Sequence, residues 1–290
     1  MACQWEISAW GKDTSYLQSA AEQAFELIDA VENSLSVFKA SSAVALINAR
    51  AAHQSVVLDP QLFDLLEKAM ELTEFTEGAF DLTAGILARV WGFTARNPVQ
   101  PGEDVIRDAL KCTGSDRVIL NRQERTIRFS TPGVELNFGA FGKGYAIDLA
   151  ASLYEELDVP GALIHGGTSS AAAVGTGPEG KAWNVRMREA QADNASDYPR
   201  FVELPGGRAL SWSSGSEQFL DLDGVKHSHI IDPQTGWPVA AGLGALVLCE
   251  SAAVADALST AAVVLGEEEF RKLCSGQPDI EVWFYRQGIV

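Results

Sequence analysis

The sequence predicts an α+β fold in one compact domain over residues 1–290, with mixed or antiparallel sheets and packed helices. Two observations favour this class. Segments of helical and of strand periodicity both occur, but they do not follow each other in the strict βαβ order of a doubly wound parallel sheet. The chain of 290 residues also has no internal repeat and no clear linker, and it is long enough to bury a substantial core.

The first third of the chain predicts one strand, two long helices and a polar loop. "QWEISAW" alternates like a strand, and 16–35 carries apolar residues at helical spacing along one stripe. An Asp-Pro pair, a good N-cap and first helical residue, opens a second helix over 59–78, which ends near a glycine. "GAFDLTAGILARVWGF" follows, and the Pro-rich segment 94–104 is predicted to be a loop.

Strands predominate in the middle of the chain, and one clear helix lies near its end. The helix "AAVADALSTAAVVL" is framed by a serine that caps it and a glycine that ends it. An earlier helix, "GYAIDLAASLYEEL", follows a glycine-rich segment. The predicted strands are "RVILN", "TIRFS", "VELNF", "ALIHGG", "WNVRMRE", "ALVLCE" and "EVWFYR".

The balance of charges argues against several kinds of partner. The chain has 22 basic and 39 acidic residues, a formal net charge of −17, which argues against nucleic acid and against an anionic membrane surface. No apolar stretch reaches the roughly 18 to 20 residues of a membrane span, and the first residues show no leader or signal peptide. The four cysteines have no metal-binding or disulfide spacing, and Cys249 is expected to be a buried thiol. We therefore expect a soluble, cytoplasmic protein without a membrane span.

The helix "SAAVADALSTAAVVLG" contains one carboxylate among apolar residues. The helix is apolar almost all round, which predicts burial. Asp256 nevertheless lies at its middle, with Ser259 at i+3 and Thr260 at i+4 on the same face. A buried carboxylate needs compensation. Its partner is a lysine or arginine from elsewhere, a helix N-terminus, or a divalent cation such as Mg²⁺, for which carboxylate and hydroxyl oxygens are hard ligands.

Two further segments suggest ligand contacts. "ELNFGAFGKGYAID" places glycines around Lys143 at the start of a helix, an arrangement that holds phosphate, although it fits neither the Walker motif nor the dinucleotide fingerprint. The alternative is a glycine-rich turn with a solvated lysine. In "EGAFDLTAG", Asp81 lies among apolar residues, where it either caps the next turn or accepts hydrogen bonds from a bound ring or ribose.

The segment "HSHIIDPQTGWP" combines an imidazole, a carboxylate and turn residues. Asp-Pro and Thr-Gly within it are typical of a tight turn. His229 precedes the turn, and Asp232 lies three residues after it in sequence. A neutral imidazole is a competent general base near pH 7, so His229 with Asp232 is a candidate catalytic pair. The alternative is a loop that only turns the chain.

Taken together and in this order, these segments resemble the FAD:protein FMN transferase family, also called the ApbE type. The matching pieces are spread over nearly the whole chain, and "HIIDPQTG" followed by "ADALST" is the most specific of them. The others are "LSVFKASSAVALIN", "GAFDLTAGILARVWGF", "LNFGAFGKGYAID", "GG", "SSG" and "HIIDPQTGWP".

The resemblance implies a single α+β unit that uses Mg²⁺ and takes FAD as its substrate. Members transfer the FMN half of FAD to a Thr or Ser hydroxyl of a target flavoprotein and release AMP. By this resemblance, Asp256 and Thr260 are expected to bind Mg²⁺, together with the backbone carbonyl of Ala140 and with Ser259. His229 is expected to accept the proton of the acceptor hydroxyl.

The resemblance also implies which residues contact FAD. Lys143 is expected near FAD, and Ala79, Phe80, Asp81 and Ile231 are expected to line its site. An acidic surface is no obstacle to this substrate, because the metal supplies positive charge at the diphosphate.

At two of three further FAD-contact positions the chain departs from the family pattern. Phe38 stands where the family usually has a tyrosine, and Asn137 where it usually has an aspartate. Met1 corresponds to the methionine of the family's Met-Gly-Thr segment. Some members of the family instead hydrolyse FAD, so the resemblance leaves an Mg²⁺-dependent pyrophosphatase that yields FMN and AMP as one alternative to a transferase. The changes at Phe38 and Asn137 suggest another, an FAD-binding protein without catalysis.

Overall fold

The computed structural model of the chain describes residues 3–95, 97–187, 199–215, 219–222 and 225–286. Over these residues the α+β class is confirmed, because helices pack on sheets whose paired strands are antiparallel. The helices are α1 Thr14–Leu35, α2 Ala43–Arg50, α3 Pro60–Phe75, α4 Gly85–Val90, α5 Glu103–Leu110, α6 Gly142–Glu156, α7 Ala252–Leu265 and α8 Glu267–Leu273. The strands are β1 Trp5–Trp10, β2 Val56–Val57, β3 Val118–Asn121, β4 Thr126–Phe129, β5 Gly161–Gly166, β6 Ser170–Gly175, β7 Trp183–Arg186, β8 Phe201–Leu204, β9 Arg208–Ser214, β10 Phe219–Leu222, β11 Val225–Ile231, β12 Pro238–Ala240, β13 Leu243–Cys249 and β14 Glu281–Arg286.

A six-stranded sheet in the order β1-β5-β6-β9-β13-β14 forms the centre of the fold. Smaller sheets contain β10-β11-β12, β2-β4-β3 and β7-β8. The described helices include none that is long and apolar enough to cross a membrane. Cys249 is a free, buried thiol, as predicted.

Alternate residues of the central strands belong to two different hydrophobic cores. In β5, Ala162 and Ile164 belong to the larger core, which α1, α6 and α7 share, whereas Leu163 belongs to a second core with the β7–β8 hairpin. In β13, Val247 belongs to the larger core and Leu246 to the second one. Side chains alternate between the faces of a strand, so the sheet is covered by helices on one face and by the hairpin on the other. This double burial explains the continuous apolar runs of its strands.

Helices α6 and α7 approach each other closely at their N-terminal ends. Gly144 of α6 lies against the backbone of Ala252, and a Cβ at this position would stand 2.2 Å from the Ala252 oxygen. One turn further along α6, the Asp148 carboxylate accepts hydrogen bonds from Ser251 Oγ at 2.7 Å and from the N–H groups of Ala252 at 2.6 Å and Ala253 at 3.0 Å. Burial raises the pKa of Asp148, and these hydrogen bonds oppose the rise. Asp148 therefore caps α7 from the neighbouring helix.

The strand predicted for "VELNF" is wrong, because the segment 134–138 forms only an isolated bridge. The backbone N–H and C=O groups of this segment find hydrogen-bond partners outside any sheet. The side-chain amide of Asn48 donates to Leu136 O at 3.0 Å and accepts from Leu136 N at 2.8 Å, and Asn137 N donates to Leu82 O at 2.8 Å. A side chain distant in sequence thus takes the place of a neighbouring strand.

The long predicted helices are confirmed, with α3 ending at Phe75 instead of near 78. The sequence did not predict α2, α4, α5 and α8, which have 8, 6, 8 and 7 residues, and the predicted loop 94–104 overlaps the start of α5 at Glu103. Helices of two turns or fewer are too short to show an apolar stripe clearly. In α2 only Val44 and Ile47 are buried, and in α8 only Phe270.

Candidate active site

A buried ion pair between α6 and α7 lies at the centre of the site. Asp256 of α7 is 3% exposed, and Lys143 Nζ of α6 lies 2.8 Å from its Oδ1. The N–H of Gly144, in the first turn of α6, donates to the other oxygen, Oδ2, at 3.3 Å. Of the three partners that the sequence left open for this carboxylate, the structure supplies both a lysine and a helix N-terminus.

Two serines connect the same two charges. Lys143 Nζ donates to Ser170 Oγ at 2.8 Å, the Ser170 and Ser211 hydroxyls lie 2.8 Å apart, and Ser211 Oγ donates to Asp256 Oδ1 at 3.0 Å. Because Ser211 gives its one proton to Asp256, Ser170 must donate to Ser211. Both serines are buried, and every polar atom of this ring of hydrogen bonds has an assigned role.

The hydroxyls predicted on the same face as Asp256 lie together on α7. Ser259 Oγ and Thr260 Oγ1 donate to the Asp256 carbonyl oxygen at 3.0 and 3.2 Å. Ser213 Oγ of β9 lies 2.8 Å from Ser259 Oγ and 3.2 Å from Thr260 Oγ1. Three of the four residues expected to bind a metal, with one additional serine, therefore form a single group of oxygen atoms.

Three serines of the site, Ser170, Ser211 and Ser213, were not among the residues predicted for it, although the segments "LIHGGTSSAAAVG" and "SWSSGS" that contain them are rich in small residues on which a ligand could lie. Their common property is strand position: in β9, Ser211 and Ser213 alternate with Leu210 and Trp212, which belong to the second core. The two serines consequently face the helices, and Ser170 lies opposite Ser211 in the register of β6 and β9. The pattern Ser-x-Ser in a strand was the available signal.

His229 lies on β11, half-buried, in a strand that contacts both α7 and α4. The pairing of β11 with β12 shifts register between His227 and Ile231. Such irregularities change the direction of side chains and are frequent beside active sites. The neighbouring Ser228 contacts Gly215, where a Cβ would stand 3.2 Å from Ser228 Oγ. The "SSG" segment thus links the strand of His229 to the oxygen atoms on α7.

The turn after β11 is held by Asp232. Its Oδ1 accepts from Gln234 N at 2.8 Å, and its Oδ2 accepts from Thr235 Oγ1 at 2.9 Å. The buried Trp91 donates from Nε1 to Gly236 O at 2.9 Å and fixes the turn to the protein. The predicted turn is confirmed, and the carboxylate of Asp232 shapes it. The catalytic role of Asp232 stays a prediction.

Asp81 has the role of a turn cap. Its Oδ1 accepts from Thr83 N and from Thr83 Oγ1, both at 2.7 Å, and Thr83 Oγ1 accepts from Gly114 N at 2.7 Å. Burial raises the pKa of Asp81. This is the first of the two alternatives for Asp81, and its contact with a ligand stays a prediction.

The other residues expected to contact FAD differ in exposure. Ala79 and Phe80 are each 2% exposed, and the Phe80 ring centroid lies 5.8 Å from that of Phe141, directly before α6. Ile231 is 9% exposed, whereas Phe38 is 73% exposed. Of these four, Phe38 alone is mostly exposed to solvent, so its side chain is the most accessible to a ligand.

Asn137 organises the glycine-rich turn that leads to α6. Its Oδ1 accepts from Gly139 N at 2.8 Å. Ala140 is half-buried in the same turn, which precedes Lys143. Met1 lies outside the described residues.

The chemistry of the donor set around Asp256 fits a hard divalent cation. The hydroxyls of Ser213, Ser259 and Thr260 lie together beside the backbone carbonyl of Asp256, whose side chain adds a carboxylate, and oxygen atoms are the ligands that Mg²⁺ prefers. Over the described ranges, no group of three His, Cys, Asp or Glu residues could hold a metal. A cation here would therefore depend on hydroxyl and carbonyl oxygens besides the single carboxylate.

Comparison with known proteins gives one consistent result. A protein-family model described as the ApbE family matches residues 1–284. The FAD:protein FMN transferase of Treponema pallidum is 29% identical over 281 residues, 92% of this chain and 77% of the relative. The corresponding protein of Escherichia coli K12 is 29% identical over 279 residues, 94% of this chain and 78% of the relative. The crystal structure of the ApbE protein of Thermotoga maritima superposes with a TM-score of 0.84 at 26% identity, over 97% of this chain and 92% of that one.

Proposed function

The chain belongs to the ApbE family and is an enzyme of the FAD:protein FMN transferase class, and we propose that it requires Mg²⁺ and modifies a Thr or Ser hydroxyl of a target flavoprotein. The acceptor oxygen would form a bond to the phosphorus of the FMN half of FAD. The bond from that phosphorus to the AMP half would break, and AMP would leave.

The residues that would hold Mg²⁺ are Asp256 and Thr260, with Ser259 and the Ala140 carbonyl as further oxygen donors. Bound there, Mg²⁺ would neutralise negative charge on the diphosphate of FAD. The supporting observation is that the buried Asp256 and the hydroxyls of Ser259 and Thr260 lie within about one turn of α7, with the Asp256 carbonyl hydrogen-bonded to both hydroxyls.

His229 would accept the proton that the acceptor hydroxyl loses when its oxygen attacks phosphorus. Its strand supports this role, because β11 contacts α7 and lies beside the "SSG" segment whose serine reaches Ser259. Asp232 would act through the turn it shapes, which keeps β11 in place. Lys143, already within the site, would offer its ammonium to a phosphate oxygen.

One observation carries the proposal: a chain of this family brings Asp256, Lys143, Thr260 and the strand of His229 together where α7 packs against the start of α6. No nucleic acid or membrane partner is required. The partners would be FAD and an acceptor flavoprotein.

The test is incubation with FAD, Mg²⁺ and an acceptor carrying a Thr flavinylation motif, followed by mass spectrometry of the acceptor. We expect a mass gain of one FMN less one water, loss of this gain with EDTA, and a fall of about 10²-fold or more in rate for His229→Ala. His227→Ala, on the same strand, is the matched control and should transfer at the wild-type rate.

Three results would contradict the proposal. FMN and AMP released at full rate without any acceptor would indicate a pyrophosphatase. FAD bound without AMP release, with or without Mg²⁺, would indicate a binding protein. Transfer at the wild-type rate by His229→Ala would remove its role as the base.

A further inference from the structure

We propose that Lys143 competes with Mg²⁺ for Asp256, so that the metal binds weakly until the diphosphate of FAD draws the lysine ammonium away. This inference rests on the proposed function and concerns the order in which its metal and substrate bind. It assigns to Lys143 a second role, as the internal cation that occupies the carboxylate between catalytic cycles.

Both carboxylate oxygens of Asp256 already have hydrogen-bond partners. Oδ1 accepts hydrogen bonds from Lys143 at 2.8 Å and from Ser211 at 3.0 Å, and Oδ2 accepts from Gly144 N at 3.3 Å. The Asp256 side chain is 5% exposed. A metal ion approaching this carboxylate therefore meets one that is already paired with a cation and shielded from water.

Lys143 is held where it stands. Ser170, which is 2% exposed, accepts from Nζ at 2.8 Å and passes a hydrogen bond to Ser211. The ring of four side chains is complete without a metal. Buried hydrogen bonds to charged groups are among the stronger ones, so displacing the ammonium from this ring requires compensation.

A divalent cation and an ammonium bound to one buried carboxylate repel each other strongly, because little water screens their two positive charges. A carboxylate with neither cation is also unfavourable in this environment. An anionic diphosphate resolves the conflict, since it offers the ammonium a new partner. The Lys143 side chain keeps 17% of its surface exposed, so part of it borders the solvent from which such an anion would approach. Binding of FAD and binding of Mg²⁺ should thus favour each other.

The experiment measures Mg²⁺ affinity by isothermal titration calorimetry, without and with FAD. In the absence of FAD, Lys143→Met should bind Mg²⁺ about tenfold more tightly than the wild type, because the competitor is gone. FAD should raise the Mg²⁺ affinity of the wild type about tenfold more than it raises that of Lys143→Met, because the variant has no lysine to release. The matched control is Lys181→Met, whose lysine pairs with Glu179 on the surface, and it should behave as wild type in both titrations.

Equal Mg²⁺ affinity of wild type and Lys143→Met without FAD would overturn the inference. Circular dichroism checks that the variant folds. Should it not fold, Ser170→Ala decides, because it keeps both charges and removes one anchor of the ammonium. Ser170→Ala should then bind Mg²⁺ more tightly than the wild type in the absence of FAD, and an unchanged affinity would overturn the inference.

Transfer of FMN by the wild type, measured in parallel, separates the two proposals. Mg²⁺-dependent transfer together with equal affinities of wild type and variant would refute the role of Lys143 and leave the function intact. Absence of Mg²⁺-dependent transfer would overturn the proposed function and this inference with it.

Discussion

Replacement of Gly144 by alanine tests the close approach of α6 and α7 on which the site depends. Helix propensity alone predicts that the change stabilises the protein by about 1 kcal/mol, because Gly144 lies inside a helix. Packing predicts the opposite. The new Cβ would stand 2.2 Å from the Ala252 oxygen and 2.6 Å from the Ala253 Cα, and both are backbone atoms that cannot turn away.

The expected loss of stability depends on how far α6 and α7 must move apart to accommodate the new Cβ. Ordinary Cβ contacts begin near 3.4 Å, so the two backbones must part by about 1 Å at this point. Overpacking of this kind destabilises by about 1 to 3 kcal/mol. The hydrogen bonds that cross the same interface, three to Asp148 and two to Asp256, would lengthen and lose about 1 to 2 kcal/mol more. After subtraction of the propensity gain, we expect Gly144→Ala to lower the free energy of unfolding by about 1 to 4 kcal/mol.

Urea unfolding followed by tryptophan fluorescence measures this difference from the midpoints at a common slope. Gly276→Ala is the control, because no atom lies within 4 Å of the position its Cβ would take, and it should stay within about 0.5 kcal/mol of the wild type. A Gly144→Ala protein as stable as the wild type, or more stable, would show that propensity outweighs packing here and would refute the reasoning.

The remaining predictions concern three other contacts. Asp148→Ala leaves two N–H groups of α7 without their acceptor and should destabilise by about 2 kcal/mol in the same assay; a change below about 0.5 kcal/mol would contradict its capping role. Burial raises the pKa of Cys249 from 9.0 to about 11, so the stability it contributes is complete below pH 9 and is lost as the pH rises through 11. The free energy of unfolding of the wild type should therefore fall relative to that of Cys249→Ala between pH 9 and 11. A difference between the two proteins that stays constant over this range would contradict the raised pKa of Cys249. Trp91→Phe removes the hydrogen bond to Gly236 O and should destabilise by about 1 to 3 kcal/mol and slow transfer through the loosened turn; unchanged urea midpoints and transfer rates would indicate that the ring alone suffices.

Contacts in the site could be predicted from the sequence only where the interacting residues are close together along the chain. Ser259 and Thr260 share a helix turn with Asp256, so their common face followed from spacing alone. The turn that Asp232 shapes was equally local. Lys143 and Asp256, by contrast, are 113 positions apart, and no local pattern could join them. The sequence required a partner for the buried carboxylate without identifying it.

The missed features share a dependence on tertiary contacts. Asn48 satisfies the backbone of Leu136 from 88 positions away and thereby replaces the strand predicted for that segment. Ser170 and Ser211 approach each other because β6 and β9 are neighbours in the sheet, an order that periodicity does not reveal. The resemblance named the residues expected to bind metal and substrate, but it did not include these serines.

The alternation of faces in β9 has a consequence for insertions and deletions. Between β6 and β9 the chain runs out to the hairpin on the far side of the sheet, so changes of length there need not alter what faces the helices. A single residue added within β9 itself would exchange the two faces and direct Trp212 toward Asp256 in place of Ser211. We therefore expect lineages of this chain to vary freely in the length of the hairpin connections, while the residue count of β9 stays constant.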